Sequence, residues 1–303
     1  MQTKHLLIIC GPTAVGKTAL SVTLAKHFNT EIISADSRQL YKEISIGTAK
    51  PTAADMQTVP HHFIDCISIH QTYTAGDYER EVIHKLDELF TKHNIVVMCG
   101  GTGLYIDAVC KGFDEGIESN PAIKNQITQN YNAKGLAWLQ NEVKQKDIDF
   151  YNQADVQNPQ RLMRALEVCL VTGKPYSSFR KNNAVKRNFN VIKVFINEDR
   201  ETLYNKINHR VDVMMQQGLL KEAESVYPFK SLNALNTVGY KELFQYFDGA
   251  ITLAQATDLI KQHTRNYAKR QVTWFKNDED CTTFLPSETE KIIAFTEIVM
   301  QQG

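Results

Sequence analysis

The first residues that could do chemistry lie in GPTAVGKT, residues 11–18, which fits the phosphate-loop pattern GxxxxGK[ST]. Its glycines let the backbone curl so that successive N–H groups point at an anion, and the helix that follows adds its positive end. Lys17 adds a point charge, and the Thr18 hydroxyl could ligate Mg²⁺. The pattern predicts a phosphate site formed by Gly11, Pro12, Thr13, Ala14, Val15, Gly16, Lys17 and Thr18.

The phosphate loop alone leaves the reaction open. Such a loop serves a kinase or an NTPase, and it would equally hold the diphosphate of a substrate that loses it as a leaving group. Other residues must therefore decide which reaction the chain carries out.

Two further candidates follow predicted strands. Asp36 lies in SADSRQLY, just after the apolar run EIISA, and Thr102 lies in GGTGLY, just after IVVMC. Ligands of an open parallel sheet bind at the carboxyl ends of its strands, so both residues are expected at the same crevice as the phosphate loop. Asp36 can be a base beside a leaving group or only a turn former. The glycines around Thr102 can equally form a tight turn or let a ligand approach the backbone.

These residues are positioned by alternating strands and helices. The runs HLLIIC, TEIISAD, IVVMCGG and NVIKVFIN predict strands, whereas KTALSVTLAKHF and residues 73–93 have helical spacing. This order predicts an α/β fold, a P-loop NTPase-like parallel sheet flanked by helices. Residues 116–188 read as a helical insertion domain whose helices start at Asn-Pro pairs. Residues 1–115 and 189–303 then form the core with its C-terminal helices.

Charge is informative only locally. The chain has 34 Lys and Arg against 34 Asp and Glu, so a nucleic-acid surface would have to come from clustering. Residues 160–193 hold one acid, Glu167, and eight basic residues: Arg161, Arg164, Lys174, Arg180, Lys181, Lys186, Arg187 and Lys193. Residues 261–276 hold five basic residues and no acid, with Tyr267, Trp274 and Phe275 among them. Either cluster can be a solvated helix face instead, and the aromatics can be core or base-stacking residues.

Other features indicate what the protein is not. Six cysteines without a CxxC pair are typical of reduced thiols rather than a zinc ribbon or a disulfide framework. The first apolar run is too short for a signal peptide, and no run approaches the length of a membrane span, so we expect a cytoplasmic protein. His61, His62 and Asp65 do not predict a metal site, because adjacent histidines point to opposite sides of a strand. We expect them to make structural hydrogen bonds.

Eight blocks in order resemble the bacterial tRNA dimethylallyltransferases, the adenosine isopentenyltransferases of tRNA. They are GPTAVGKT, DSRQLY, IGTAKP, PHHFID, GGTGLY, NPQRLMRALEV, TVGYKEL and KRQVTWF, and the resemblance runs from Leu7 to about Phe275. The chain departs from the family at Arg38, where a hydrophobic residue is usual, and at Asn158, where Asp is usual. The second change is mild, since Asn caps a helix nearly as well as Asp.

The resemblance implies transfer of a dimethylallyl group from dimethylallyl diphosphate to N6 of adenosine-37, next to the anticodon of tRNAs that read codons beginning with U. Mg²⁺ on Thr18 would assist, and the phosphate loop would hold the diphosphate that leaves. Asp36 would accept the proton of the adenine amine, which is a poor nucleophile. Thr13, Lys17 and Arg210 would act on the departing diphosphate.

The resemblance also implies a partner, the anticodon stem-loop of tRNA, contacted in part by the insertion domain. The residues expected to contact RNA are Asp36, Ser37, Arg38, Gln39, Thr102, Lys124, Gln160, Arg161, Leu162, Met163 and Arg164. No protein partner is indicated, so a monomer is expected.

Three alternatives stay open at this point. A small-molecule kinase would bind ATP tightly and transfer phosphate without tRNA. A non-catalytic RNA-binding module would tolerate Asp36→Ala. An adenylate isopentenyltransferase would act on free nucleotide, although the basic helical insertion favours tRNA.

Overall fold

The computed structural model describes residues 3–112, 117, 119–179 and 185–302. Contacts divide the chain into two compact units, one formed by Met1–Cys110 and Lys186–Gly303 and the other by Lys111–Val185. Sequence analysis put the boundaries of the insertion at 116 and 188. Residue 116 lies outside the described residues, as do Arg180 and Lys181 of the first basic cluster.

The first unit contains a parallel sheet of six strands among the described residues, in the order β3-β2-β4-β1-β5-β6. Its strands are β1 His5–Cys10, β2 Ile32–Ala35, β3 His61–His62, β4 Ile95–Gly100, β5 Asn190–Ile196 and β6 Cys281–Phe284. The predicted α/β fold is confirmed. The edge strands β3 and β6 were not predicted, because two and four residues are too few to show a pattern.

Helices cover both faces of this sheet. The α-helices of the described residues are α1 Lys17–His27, α2 Ala53–Thr58, α3 Ala75–Leu89, α4 Gly103–Lys111, α5 Pro121–Lys146, α6 Ile148–Gln153, α7 Pro159–Thr172, α8 Arg200–Gln216, α9 Leu219–Val226, α10 Tyr240–Phe247, α11 Leu253–Lys276 and α12 Thr289–Gln302. No helix of the described residues has the length and apolarity that a membrane crossing requires.

The central strand shows why the sheet has two covered faces. Leu6 and Ile8 of β1 pack in one core with α3 and α4, while Leu7 and Ile9 pack in a second core with α1, α8 and α12. Alternate residues of a strand point to opposite faces, so a continuous apolar run supplies both cores.

Two glycines bring the strand ends together at the carboxyl edge. A Cβ on Gly11 would collide with the carbonyl oxygen of Ile196 on β5, and one on Gly100 would collide with that of Ala35 on β2. Gly11 also has a φ of 149°, which side chains rarely adopt. The loops after β1, β2 and β4 therefore start close together.

The second unit is helical, and its Asn-Pro starts are confirmed. The Asn120 side chain accepts hydrogen bonds at the start of α5, and the Asn158 side chain accepts from the N–H of Arg161 at the start of α7. The Asn158 departure thus leaves an intact cap. Helices α5 and α7 pack over a core that includes Leu139 and Leu166.

Candidate active site

The phosphate loop joins β1 to α1 as predicted. Its backbone takes left-handed conformations at Ala14, with a φ of 65°, and at Gly16, with a φ of 100°. Gly16 is the N-cap of α1 and has no side chain to satisfy the first N–H groups of the helix. These free donors and the helix dipole make this turn an anion site.

Three predicted catalytic residues meet at this loop. The Lys17 ammonium donates to the carbonyl oxygen of Pro12 at 2.7 Å, and the Arg210 guanidinium of α8 donates to the Thr13 hydroxyl at 3.2 Å. Burial lowers the pKa of Lys17; nearby Arg210 acts in the same direction, while Cys99 and Asp36 oppose it. Burial also lowers the pKa of Arg210, and Asp36 opposes this shift. Two cations held close together at this loop indicate a site built for an anion.

Asp36 begins the turn after β2. One carboxylate oxygen, Oδ1, accepts from the backbone N–H groups of Arg38 at 2.9 Å and Gln39 at 3.4 Å. These bonds fix the side chain, and the second oxygen bonds to no described residue. Asp36 is therefore both a turn former and a carboxylate with one oxygen available to a ligand.

Thr102 fixes the other side of this turn. Its hydroxyl accepts from the backbone N–H of Ser37 at 3.0 Å and donates to the Ser37 hydroxyl at 3.4 Å. The loops after β2 and β4 are thus tied together. Thr102 positions the Asp36 turn in the structure.

Sequence analysis missed Gln271 of α11. Its side-chain oxygen accepts from the N–H of Thr13 at 2.9 Å, and its nitrogen donates to the carbonyl oxygen of Gly101 at 2.9 Å. This buried amide joins the phosphate loop to the glycine turn after β4. The block KRQVTWF contains Gln271, but nothing local distinguishes it from a surface glutamine.

Glu222 of α9 was also missed. Its carboxylate accepts from the backbone N–H groups of Ser45, Ile46 and Gly47 at 2.8, 2.9 and 3.0 Å, and from the Tyr240 hydroxyl at 2.5 Å. The block IGTAKP is held in place by these bonds. The three backbone partners lie 175 to 177 residues away in the chain, so no local pattern could reveal them.

Two cavities lie on either side of these residues. The first, here called the P-loop cavity, measures ≈ 430 Å³ and is lined by residues that include Lys17, Thr18, Lys50 and His61. The second, here called the α11 cavity, measures ≈ 590 Å³ and is lined by residues that include Arg38, Leu104, Lys241, Arg270 and Trp274. Seven residues line both: Thr13, Asp36, Thr48, Gly101, Arg210, Tyr267 and Gln271.

The α11 cavity is strongly cationic. Among the described residues that line it, Asp36 is the one carboxylate, whereas four side chains are cations: Arg38, Arg210, Lys241 and Arg270. A chain without net charge thus concentrates positive charge around a single carboxylate. This distribution suits a polyanionic substrate that presents a proton donor to Asp36.

Two of the predicted RNA contacts are used within the site. The Arg38 guanidinium donates through Nη1 to the carbonyl oxygens of Asn233 and Ala234, both at 3.2 Å. The Gln39 amide bonds to Ser34 and to carbonyl oxygens of the 48–49 segment. The Arg38 guanidinium has further N–H groups beyond these two bonds, whereas the Gln39 amide already bonds within the protein.

The predicted contacts in the second unit differ in exposure. Lys124, Gln160 and Arg161 are exposed, and Met163 is half-buried. Leu162 is 0% exposed and belongs to the core of this unit. Arg164 pairs with Glu167 at 3.0 Å and donates to the carbonyl oxygen of Ile117 at 2.7 Å. Their binding of RNA stays a prediction.

The interpretation of residues 160–193 as one basic surface is wrong at its end. Lys193 is buried in β5 and pairs with Asp278 at 2.7 Å, and Arg187 pairs with Glu79 at 2.6 Å. The pairing partners are 85 and 108 residues away in the chain, so residues 160–193, with Glu167 as their one acid, did not reveal them.

In residues 261–276 two of the charged side chains pair with polar side chains of α8, whereas the neighbouring aromatic side chains differ in exposure. Lys261 pairs with Asp212 at 2.6 Å, and Arg265 bonds to Asn208 at 2.6 Å. Phe275 is 2% exposed and belongs to the core, whereas Trp274 is 47% exposed.

The histidines of PHHFIDC make structural bonds, as expected. His62 Nε2 lies 2.6 Å from a carboxylate oxygen of Glu31, and His61 Nδ1 lies 2.8 Å from the carbonyl oxygen of Val59. The described residues contain no group of three His, Cys, Asp or Glu side chains that could hold a metal. The Thr18 hydroxyl lines the P-loop cavity and bonds to no other described residue, so it is free to be one oxygen ligand of Mg²⁺.

Comparisons with known proteins agree with this geometry. Residues 39–278 match a family model described as IPP transferase. The chain is 51% identical over 290 residues to the tRNA dimethylallyltransferase of Flavobacterium johnsoniae, covering 93% of each chain. It is similar to the solved tRNA isopentenylpyrophosphate transferase of Bacillus halodurans, with a TM-score of 0.73 and 34% identity over 99% of this chain and 97% of that one. A eukaryotic dimethylallyltransferase acting on tRNA, at 24% identity, shares the fold with a TM-score of 0.84 over 99% of this chain and 80% of that one.

Proposed function

The chain belongs to the IPP transferase family, and from this premise we propose that it is a tRNA dimethylallyltransferase. It transfers a dimethylallyl group from dimethylallyl diphosphate to N6 of adenosine-37 in tRNAs that read codons beginning with U. The products are N6-isopentenyladenosine and diphosphate. The protein acts as a cytoplasmic monomer.

One observation carries this proposal. Asp36, with one carboxylate oxygen that bonds to none of the described residues, lies in the wall shared by the P-loop cavity and the α11 cavity. A base at this place can serve an acceptor that enters from one cavity and a donor held in the other.

The donor binds with its diphosphate on the phosphate loop. Lys17, Arg210 and the N–H groups at the start of α1 stabilise the charge that develops as the C–O bond of the donor breaks. The Thr13 hydroxyl, held by Arg210, lies on the shared wall, where it can donate to the oxygen that joins the allyl carbon to phosphorus. The Thr18 hydroxyl would hold Mg²⁺, which would supply additional positive charge to the diphosphate.

The acceptor adenine enters the α11 cavity unstacked from the anticodon loop. Its exocyclic amine donates a hydrogen bond to the free oxygen of Asp36 and loses a proton to it as the new N–C bond forms. Diphosphate leaves, and Asp36 releases the proton to solvent. Exposed Lys124, Gln160 and Arg161 of the second unit contact the RNA.

The test is a single-turnover assay. Purified protein is mixed with dimethylallyl diphosphate, Mg²⁺ and unmodified tRNA, and the digested nucleosides are identified by mass spectrometry. We expect isopentenylated adenosine with tRNA and none when AMP replaces it. Labelled ATP without tRNA should give no phosphate transfer, and such transfer without any prenylated product would replace the proposal with a kinase.

A further inference from the structure

Trp274 lies on the face of α11 that forms one wall of the α11 cavity. Tyr267, Gln271 and Trp274 follow one another at intervals of four and three residues, which places them on one side of a helix. Tyr267 and Gln271 belong to the wall shared with the P-loop cavity, and Trp274 continues this face less than one turn beyond it. The indole therefore lies close to the reaction centre without lining the P-loop cavity.

The indole is held on one side. A Cβ added to Gly103 would lie 2.6 Å from both Cδ1 and Cε2 of Trp274, so the ring rests directly against the α-carbon of this glycine. Gly103 directly follows Thr102, whose hydroxyl accepts from the N–H of Ser37. The position of the ring is thus tied to the turn that carries Asp36.

The rest of the indole is open to the cavity. Trp274 is 47% exposed and Leu104, the neighbour of Gly103, is 48% exposed, and both line the α11 cavity. The next aromatic residue, Phe275, is 2% exposed and packs in the core, so Trp274 is the exposed ring of this pair. A large apolar surface left open inside a cavity indicates a binding surface.

The charges around this surface indicate its occupant. Arg38, Lys241 and Arg270 line the same cavity, and Asp36 is the one carboxylate among its described lining residues. A flat apolar surface flanked by cations matches a nucleobase attached to phosphates, because the base can stack while its phosphates meet the charges.

We propose that Trp274, seated on Gly103, is the stacking platform for the base next to the target adenosine when that adenosine is unstacked. Such a platform replaces the stacking that the neighbouring base loses when the target leaves the loop. The platform contacts the RNA and makes no contact with the donor. This inference rests on the proposed function, because it takes tRNA as the substrate.

The first experiment compares variants in steady-state kinetics with an anticodon stem-loop RNA. Trp274→Ala should raise KM for RNA about tenfold or more, the scale of one lost stacking contact, with KM for dimethylallyl diphosphate unchanged. Trp274→Phe should recover most of the loss. Gly103→Ala keeps the indole but displaces it, and should resemble Trp274→Ala. Ile298→Ala, which removes another exposed apolar side chain, is the matched control.

The second experiment identifies the base. Stem-loop RNAs with an abasic nucleotide on the 5′ or the 3′ side of the target adenosine are assayed with wild type and with Trp274→Ala. For one of the two abasic RNAs, KM with wild type should rise about as much as Trp274→Ala raises KM for the intact RNA. Combining that RNA with the variant should raise KM no further than either change alone. Additive losses on both sides would overturn the platform.

The third experiment uses fluorescence, which needs no turnover. The chain has two tryptophans, so Trp138→Phe leaves Trp274 as the sole reporter. Stem-loop RNA should quench it, and the abasic RNA identified above should not. Absence of quenching at saturating RNA overturns the inference while prenylation by wild type leaves the proposed function standing. Quenching without prenylated product would instead reject the proposed function, and with it the platform, because the platform is defined by the adenosine that this reaction modifies.

Discussion

The P-loop cavity and the α11 cavity share a wall but are built in different ways. The phosphate-binding part of the first comes from one contiguous segment, residues 11–18, whose backbone conformation supplies the donors. The second gathers side chains from segments as far apart as Arg38, Leu104, Lys241 and Trp274. Backbone donors suit the unchanging diphosphate of a donor, whereas dispersed side chains suit an acceptor recognised by shape, charge and stacking.

The comparison predicts that the shared wall is the most sensitive place. Asp36→Asn keeps the turn, because the amide oxygen can still accept from the N–H groups of Arg38 and Gln39, but it removes the base. We expect kcat to fall about 1,000-fold with both KM values little changed, as measured by steady-state prenylation kinetics. Asp55→Asn, a change in another carboxylate of the P-loop cavity, is the control and should retain most activity. A loss of less than tenfold for Asp36→Asn would show that proton removal does not depend on this carboxylate.

A change confined to the P-loop cavity should affect the donor alone. Lys17→Met should weaken binding of dimethylallyl diphosphate about 100-fold, the value of a charge-assisted contact, without weakening RNA binding. Calorimetry with each substrate separately checks this.

The lowered pKa of Lys17 predicts the direction in which donor affinity changes with pH. Burial lowers its pKa from the usual 10.5, so the ammonium loses its proton at a lower pH than an ordinary lysine does. Donor affinity of wild type should fall as pH rises through that lowered pKa, and the affinity of Lys17→Met should stay flat. An equal decline in both proteins would assign the titration to another group.

Gln271 tests whether the two cavities depend on one connection. Gln271→Leu leaves the buried N–H of Thr13 and the carbonyl oxygen of Gly101 without a partner, which should lower the free energy of unfolding by about 2 kcal/mol. Urea unfolding measures this. Gln262→Leu on the exposed side of the same helix is the matched control and should change it little. Comparable losses in both variants would mean that the amide bridge contributes nothing specific.

The smallest effect is expected at the edge of the α11 cavity. Arg38→Met removes the guanidinium that bonds to the 233–234 carbonyl oxygens, and with it one cation of the α11 cavity. KM for RNA should rise about fivefold and become less dependent on salt, while KM for the donor is unchanged. Steady-state kinetics at two salt concentrations checks both points. A change in KM for the donor instead would show that Arg38 acts on the P-loop cavity.

Much of the P-loop side was predictable from local sequence. Glycines, Lys17 and the strand–helix context act through nearby backbone, so their spacing alone predicts the anion site. Asp36 was predictable because its place after a strand puts it at the carboxyl edge of a parallel sheet. The Asn-Pro helix starts were predictable because a helix cap joins residues only two or three apart in the chain.

The amino-acid sequence by itself determined the fold class, the phosphate loop and the position of Asp36, because each depends on contacts between residues close in the chain or on a general rule of parallel sheets. Only the tertiary structure decided that the Gln271 amide joins two loops, that Glu222 holds residues 45–47, that Lys193 is buried and that Trp274 is exposed. Each of these depends on partners brought from far along the chain, and no local pattern distinguishes a buried ion pair or an open indole from its opposite.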